Sequence, residues 1–282
     1  MFCEDKYIFF QILYVYIYIY MVSLVFMVAG MSSRFGGRPK QMAKVGPNNE
    51  TLIEYSVNQA LKQKFNKIYF ITNPKTEQLF KNIFKKNYNG IDVVYVEQQY
   101  DKEKRSRPWG TTDALCSLIG YINESFILLN GDDIYGESTF EIGYNMMEGK
   151  KINIIGGVPF LNSVPEKGKV NRGIINVKDG KVKDIKEVLD ISRETHTDFF
   201  DKICNVNFIG LQINVLNMLN EILLKFKKEH YEDPKIECLL PDNLNELLQN
   251  NLMSMEYFEI KEKILGLTNP EDEVIVRNLL NK

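Results

Sequence analysis

Short runs of apolar residues alternate along this chain with longer stretches in which apolar positions recur every three or four residues. "VSLVFMVAG", residues 22–30, is continuously apolar, as a strand covered on both faces must be. After a loop of small and charged residues, "TLIEYSVNQALKQKF" places Leu52, Ile53, Val57, Ala60 and Leu61 at helical spacing, and Thr51 with Glu54 predicts a capping box. "KIYFIT" reads as a strand, "KTEQLFKNIFKKNY" as an amphipathic helix, "IDVVYV" as a strand, "TTDALCSLIGYI" as a helix and "SFILLN" as a strand. This rhythm predicts an α/β fold with a doubly wound, mostly parallel sheet, Rossmann-like in type. Such sheets bind ligands beyond the carboxyl ends of their strands, here the loops after Ala29 and Asn130.

The pattern changes in the second half. "GIINVKDGKVKDIKEV" sets Asp179-Gly180 between two extended runs, a strong hairpin signal. "NVNFIGLQI" reads as a strand, Val215 to about Lys227 as a helix, and "LMSMEYFEI" as a late strand. In "NPEDEVIVRNLL", Asn269 is expected to cap a last helix and Pro270 to open it. With no internal repeat and no low-complexity linker, residues 21–282 are expected to form one domain, with the hairpin as a small substrate-side lobe.

Composition narrows the function. Of 282 residues, 44% are hydrophobic and 26% charged, enough for a sizeable core, and the net charge of -2 argues against a nucleic-acid partner. Cys3, Cys116, Cys204 and Cys238 form no CxxC pair, which argues against a disulfide framework or zinc site and for a reducing cytoplasm. The apolar run from Tyr7 is rich in Tyr and Ile, and its last part is needed as a buried strand. The remainder, 7–20, is nearer the length of non-spanning segments than the roughly 20 residues of a membrane span. Glu4 and Asp5 stand where a signal peptide would carry basic residues. Residues 1–20 are therefore expected to be an extension outside the fold, with Met21 as an alternative start, and not a membrane anchor.

The loop "AGMSSRFGGRPKQ" suits phosphate. Ala29, Gly30, Ser32 and Ser33 are small enough for backbone N–H groups to wrap an anion, and Arg34 and Lys40 add positive charge. It is neither a GxxxxGK[ST] loop nor a GxGxxG fingerprint.

"AGMSSRFGGRPKQ" followed by "VGPNNETLIEYSV" resembles the signature region of the sugar-1-phosphate nucleotidylyltransferases, and the likeness continues in order through "VEQQYDKEKRSRPWGTTDAL", "FILLNGDDIYG", "VNRGIINV", "IKEV", "VNFIGL" and "LGLTNPED". The resemblance implies transfer of a nucleotidyl group from a nucleoside triphosphate to a sugar 1-phosphate, with Mg2+ as cofactor, giving an NDP-sugar and pyrophosphate. It implies that the backbone of Ala29, Gly30, Met31 and Ser32, with Arg34 and Lys40, holds the triphosphate; that Gln98 reads the base; and that Gly110 and Thr111 pack on the nucleoside. It further implies that Asp132 binds the metal and that Gly173, Glu187 and Asn207 face the sugar. UTP is the favoured donor and dTTP the second, with N-acetylglucosamine or glucose 1-phosphate as acceptor. Three departures stand out: Ser32 where the family usually has Gly, Thr112-Asp113 where it has Ala-His, and no evident second metal-binding carboxylate or amide before "TNPED". Asp133 is a candidate for that second ligand. The competing readings are a cytidylyltransferase acting on methylerythritol phosphate or molybdopterin, and a nucleotide-binding module without catalysis.

Overall fold

A computed structural model of the chain describes residues 21–30, 35, 38–166, 168–267 and 269–281, so the expectation for residues 1–20 lies outside the described residues. The first half runs β1 (Val22–Met27), α1 (Leu52–Ala60), β2 (Lys67–Thr72), α2 (Glu77–Phe84), β3 (Asn87–Tyr88), β4 (Ile91–Glu97), α3 (Thr111–Cys116) and β5 (Ser125–Asn130). β4, β2, β1 and β5 are neighbours in that order and all parallel. Both faces of this sheet are covered, so β1, β2 and β5 bury nearly every side chain, as their continuous apolar runs require, while β4, nearer the edge, is only partly covered. On one face Phe70 packs against Phe26, Phe80, Phe84 and Tyr95, joining the sheet to α2.

Helix α1 has the capping box its sequence predicts: the Thr51 side chain accepts from Glu54 N, and Glu54 returns to Thr51 N at 2.8 Å. Thr51→Ala leaves that first turn without its side-chain acceptor. The expected cost is about 1 kcal/mol, read as a lower urea midpoint at unchanged slope.

Two helices are shorter than the sequence pattern predicts. α3 stops at Cys116 because the Ser117 hydroxyl turns back onto the Ala114 carbonyl at 2.6 Å, and Gly120 then takes a positive φ. α2 stops at Phe84, and Asn87–Tyr88 instead pair antiparallel with β4 across Asn89-Gly90, both at positive φ. That Asn-Gly is a primed hairpin turn.

The second half runs β6 (Asp133–Ile134), α4 (Glu137–Met147), β7 (Asn153–Pro159), α5 (Phe160–Ser163), β8 (Val170–Lys178), β9 (Lys181–Ile191), β10 (Ile203–Leu211), α6 (Ile213–Glu229), α7 (Leu240–Gln249), β11 (Met255–Glu259), β12 (Leu265–Gly266) and α8 (Asp272–Leu280). Asp179 and Gly180, at φ 53° and 72°, turn β8 into β9 as the sequence predicts. The late strand is trimmed to β11, and Asn269-Pro270 form a turn ahead of α8. α4, β7 and α7 have no counterpart in the sequence reading.

The parallel pattern does not persist here. β10 runs antiparallel to β5, β7 and β8, and only β7 and β11 pair parallel. The hairpin lobe is therefore continuous with the main sheet, whose ten strands follow the order β3-β4-β2-β1-β5-β10-β7-β11-β9-β8. A further β10–β8 pairing closes the last five strands on themselves. Among the described residues no helix is long and apolar enough to cross a membrane.

Candidate active site

β1 is the central strand of the parallel half, with β2 on one side and β5 on the other. The chain builds outward through β2 and β4, then crosses back through α3 to β5. The strand order thus reverses between β1 and β5, and the crevice outside their carboxyl ends is where an open α/β sheet binds its ligand. The loop leaving β5 is tied to the end of β1, Gly131 N donating to the Met27 carbonyl at 3.1 Å, and the loop leaving β1 is tied to β2, Val28 N donating to the Ile71 carbonyl at 2.9 Å. A Cβ at Gly131 would sit 2.3 Å from Val28 Cγ1, so only glycine allows this approach. Ala29 and Gly30 lie here, Ala29 offering its carbonyl to Asn73 Nδ2 at 2.7 Å. Met31, Ser32 and Arg34, expected to wrap and neutralise phosphate, lie outside the described residues.

Lys40 reaches the crevice because its segment is clamped from below. Phe35, Ala43, Val45 and Leu52 form one apolar cluster with Ile134, Leu267 and Val276, tying this segment to β6, β12 and α8. Arg277 of α8 donates from Nε and Nη2 to the Lys44 carbonyl at 3.0 and 2.6 Å, and Arg38 pairs with Glu273. So anchored, Lys40 Nζ stands 2.8 Å from Asp132 Oδ2, with both side chains partly open to solvent. These two residues, 92 positions apart in sequence, share one cleft of about 1060 Å³ with Thr111, Asp133, Gly173, Glu187 and Asn207.

Asp133 lies beside Asp132 in the cleft and is half-buried. Burial, and then the neighbouring Asp132 carboxylate, push its carboxyl up to about 7. It accepts from Asn130 Nδ2 at 2.8 Å; Asn130 Oδ1 accepts from Asn207 Nδ2 at 3.0 Å; and Asn207 Oδ1 accepts from Asn205 Nδ2 at 3.1 Å. A bulge in β10 between Asn205 and Phe208 aims Asn207 into this chain, with Asn207 itself at φ 59°, a conformation asparagine tolerates. Tyr135, fully buried, fastens the arrangement by accepting from Asn130 N at 3.0 Å and donating to the Val206 carbonyl at 2.9 Å. From the other side β12 pairs with β6, bringing Gly266 opposite Asp133; a Cβ there would meet Asp133 Oδ1 at 2.3 Å. The segment before "TNPED" therefore does lie beside the two aspartates, but the Asp133 carboxylate fills the space a side chain at 266 would need.

The hairpin supplies the far wall. Gly173 of β8 pairs with Glu187 of β9, and a Cβ at Gly173 would press on Asn205 at 3.2 Å. Burial, then the Asp242 carboxylate, raises the Glu187 carboxyl to about 7 against the opposing pull of Arg172. Arg172 itself is held by Ser163, donating to its hydroxyl at 2.7 Å and its carbonyl at 3.2 Å. Because the folded pKa exceeds the unfolded one, Glu187 costs stability as pH rises from about 4.5 to about 7. Glu187→Gln is expected to be neutral near pH 4.5 and to gain about 1–2 kcal/mol at pH 8, a figure reduced for partial solvent exposure. Urea unfolding at both pH values reads the difference.

Gln98, Gly110 and Thr111 sit on the opposite flank. Gln98 follows β4, its N donating to the Thr72 carbonyl at 2.9 Å, and its amide nitrogen donates to Asp113 Oδ2 at 2.8 Å and to the Gly110 carbonyl at 3.2 Å. Asp113, one of the departures from the family's pattern, is buried and paired with Lys227 of α6. Gly110 opens α3 at φ 102°, and Thr111 Oγ1 accepts from Leu240 N at 2.9 Å.

The family model for nucleotidyl transferases matches residues 30–187, more than half of the chain. The chain belongs to the nucleotidyl transferase family. Its fold is that of solved transferases at low identity. A protein assigned as a glucose-1-phosphate thymidylyltransferase of Bacillus anthracis superposes at TM-score 0.69 with 13% identity, over 93% of this chain and 96% of that one. The inositol-1-phosphate CTP transferase of T. maritima superposes at 0.66 with 14% identity, over 93% and 96%. By sequence, the transferase is 30% identical over 108 residues to the adenosylcobinamide-phosphate guanylyltransferase of Methanocaldococcus jannaschii, a match covering 38% of this chain and 49% of that protein. The chain thus spans about half the length of the curated relative it matches.

Asn130, Asn205 and Arg172 of the transferase's cleft, and Lys227 outside it, escaped the sequence reading. Asn130 stands two positions before Asp132, and Asn205 and Asn207 alternate on one strand, so a polar pair inside an apolar run was a usable signal. Arg172, beside Gly173, was equally visible. Lys227 had none: it lies on a helix 114 positions after Asp113 and meets it only through packing of α3 against α6.

Proposed function

We propose that the chain joins a nucleoside triphosphate, UTP first and dTTP second, to a sugar 1-phosphate, N-acetylglucosamine or glucose 1-phosphate, releasing pyrophosphate. The contact of Lys40 with Asp132 at the switch-point cleft carries this reading. A phosphate oxygen of the acceptor attacks the α-phosphorus; that P–O bond forms as the bond to pyrophosphate breaks. The attacking phosphate is already an anion, so no protein nucleophile is required. What the protein must supply is alignment and positive charge, since like charges about 4 Å apart repel by about 4 kcal/mol at an effective dielectric of 20. Lys40 supplies one charge at the crevice, and Arg34 is assigned the same task. Asn207 and Glu187 are assigned the acceptor's hydroxyls and Gly173 the space beside its ring, a reading supported by their shared cleft with Lys40 and Asp132. Ala29, Gly30, Met31 and Ser32 are assigned the phosphates through their backbone, Gln98 the base, and Gly110 and Thr111 the nucleoside.

The donor set fits Mg2+. Among the described residues no three His, Cys, Asp or Glu side chains converge, but Mg2+ keeps several waters and takes one or two carboxylates together with substrate phosphates. Asp132 and Asp133 are such a pair: burial first, and then the Asp132 carboxylate, push the Asp133 carboxyl up, and a cation held by the two would offset both costs. Bound there, the ion would neutralise the α-phosphate and the leaving group. The buried free thiols of Cys116, Cys204 and Cys238 accord with a cytoplasmic setting.

The local match to a guanylyltransferase of a non-sugar phosphate favours a second reading, in which the acceptor is another phosphomonoester. Pyrophosphate release decides. The full chain is assayed with each nucleoside triphosphate and dTTP against glucose and N-acetylglucosamine 1-phosphates, inositol 1-phosphate and methylerythritol phosphate, with EDTA and with Mg2+ restored. Release with a sugar 1-phosphate, lost in EDTA, is expected. Release only with another acceptor selects the second reading, and nucleotide binding without release from any pair leaves a binding module.

A further inference from the structure

Gln98 cannot present both ends of its amide. Its nitrogen bonds Asp113 Oδ2 and the Gly110 carbonyl, and both partners only accept: the carbonyl has no proton, and the other oxygen of the carboxylate is paired with Lys227 Nζ. Turned the other way, Gln98 would aim its oxygen at two acceptors and leave a buried donor unmatched. Its Oε1 is therefore the atom left for a ligand. Gln98 and Asp113 are 7% and 5% exposed, so water cannot readily substitute for these bonds.

We infer that Asp113 is a positioning residue for base selection: by fixing the amide of Gln98 it presents an acceptor only, and so favours bases with a ring N–H on their pairing edge (uracil, thymine, guanine) over those with a ring nitrogen acceptor (cytosine, adenine). This rests on the proposed reading of Gln98 as the group facing the base. A disfavoured base sets acceptor against acceptor, which is expected to weaken binding about 10- to 100-fold. Asp113→Asn would replace the shorter of the two obligate acceptors with an amide able to accept or donate, leaving only the Gly110 carbonyl at 3.2 Å to oppose a turned Gln98. Lys227, whose side chain is 32% exposed and lies 5.9 Å from the Trp109 ring, has solvent and an aromatic face to turn to.

The test is nucleotide binding to the full chain with Mg2+, which needs no acceptor and so stands apart from the pyrophosphate assay. Wild type is expected to bind UTP over CTP, and GTP over ATP, by about 10-fold or more, and to lose a similar factor for N3-methyl-UTP, which lacks the ring N–H. Asp113→Asn is expected to bring UTP and CTP within about 3-fold while UTP affinity changes little. A wild-type preference for CTP or ATP overturns the inference, as does undiminished binding of N3-methyl-UTP. So does an Asp113→Asn protein that melts lower yet keeps its base preference, which would mark the pair as structural only. Should the variant not fold, the N3-methyl-UTP comparison on wild type still decides how Gln98 is turned. No binding of any nucleotide removes both this inference and the proposed function, whereas binding with the expected ranking but no pyrophosphate release removes only the latter.

Discussion

Asp132→Ala is expected to lower kcat by about 1,000-fold and Lys40→Ala by about 100-fold, each with an unfolding midpoint close to wild type. The rate loss follows from removing a preorganised charge at the reacting phosphates, where a single such group is worth about 10²–10³ in rate. The unchanged stability follows from exposure. The Lys40 and Asp132 side chains are 24% and 30% exposed, so deleting one leaves its partner hydrated, and a pair of this kind contributes about 0–1 kcal/mol. Had the pair been sealed in the interior, breaking it would have cost about 3–5 kcal/mol and loss of rate could not be separated from loss of fold. Steady-state pyrophosphate release beside urea unfolding measures both. Normal turnover in purified, folded Asp132→Ala would take Asp132 out of the reaction.

Gly110→Ala is expected to destabilise the protein by about 3 kcal/mol or more and to blunt nucleotide binding with it. Two effects add. At φ 102° and ψ -169° an L-residue is strained by about 1–3 kcal/mol. The new Cβ would also stand 2.6 Å from the Cys238 carbonyl oxygen and 2.9 Å from its nitrogen, backbone atoms that cannot swing aside. Those atoms are already committed: Cys238 N donates to the Trp109 carbonyl at 2.6 Å, and its own carbonyl accepts from Thr112 N at 3.1 Å. Relieving the clash therefore pulls apart the seam between α3 and the strand-like approach to α7. A urea midpoint equal to wild type would show that the seam yields at little cost.

The parallel half of the fold was legible because its signals are local. Continuous apolar runs named β1, β2, β4 and β5, and Thr51 with Glu54 named the start of α1 before any contact was known. The Asp179-Gly180 turn was equally plain, and Asn89-Gly90 carried the same two-residue chemistry directly after what read as an amphipathic helix ending at Tyr88. There helical spacing of apolar residues outweighed the turn, although Lys85 at positive φ ends the helix and Asn89-Gly90 turns the hairpin that follows.

The candidate site divides along a similar line. Lys40, Asp132, Gly173, Glu187 and Asn207 could be picked out from their segments, and the fold gathers all five into one cleft. What their neighbours do to them was not visible. The sequence does not say that Asp113 is neutralised by Lys227, that Asn207 is turned inward by a bulge, or that Gly266 yields its space to Asp133.

By itself, then, the order of residues determined the strands of the parallel half, the helix start at Thr51, the hairpin at Asp179-Gly180 and the loops that would bear charge, because periodicity, capping and turn chemistry act over a few residues. Only the tertiary structure decided that β10 would run antiparallel and close the second half on itself, and which charges would stand paired. Those outcomes depend on groups brought together across 92 or 114 positions of chain, where contact is set by packing and not by spacing.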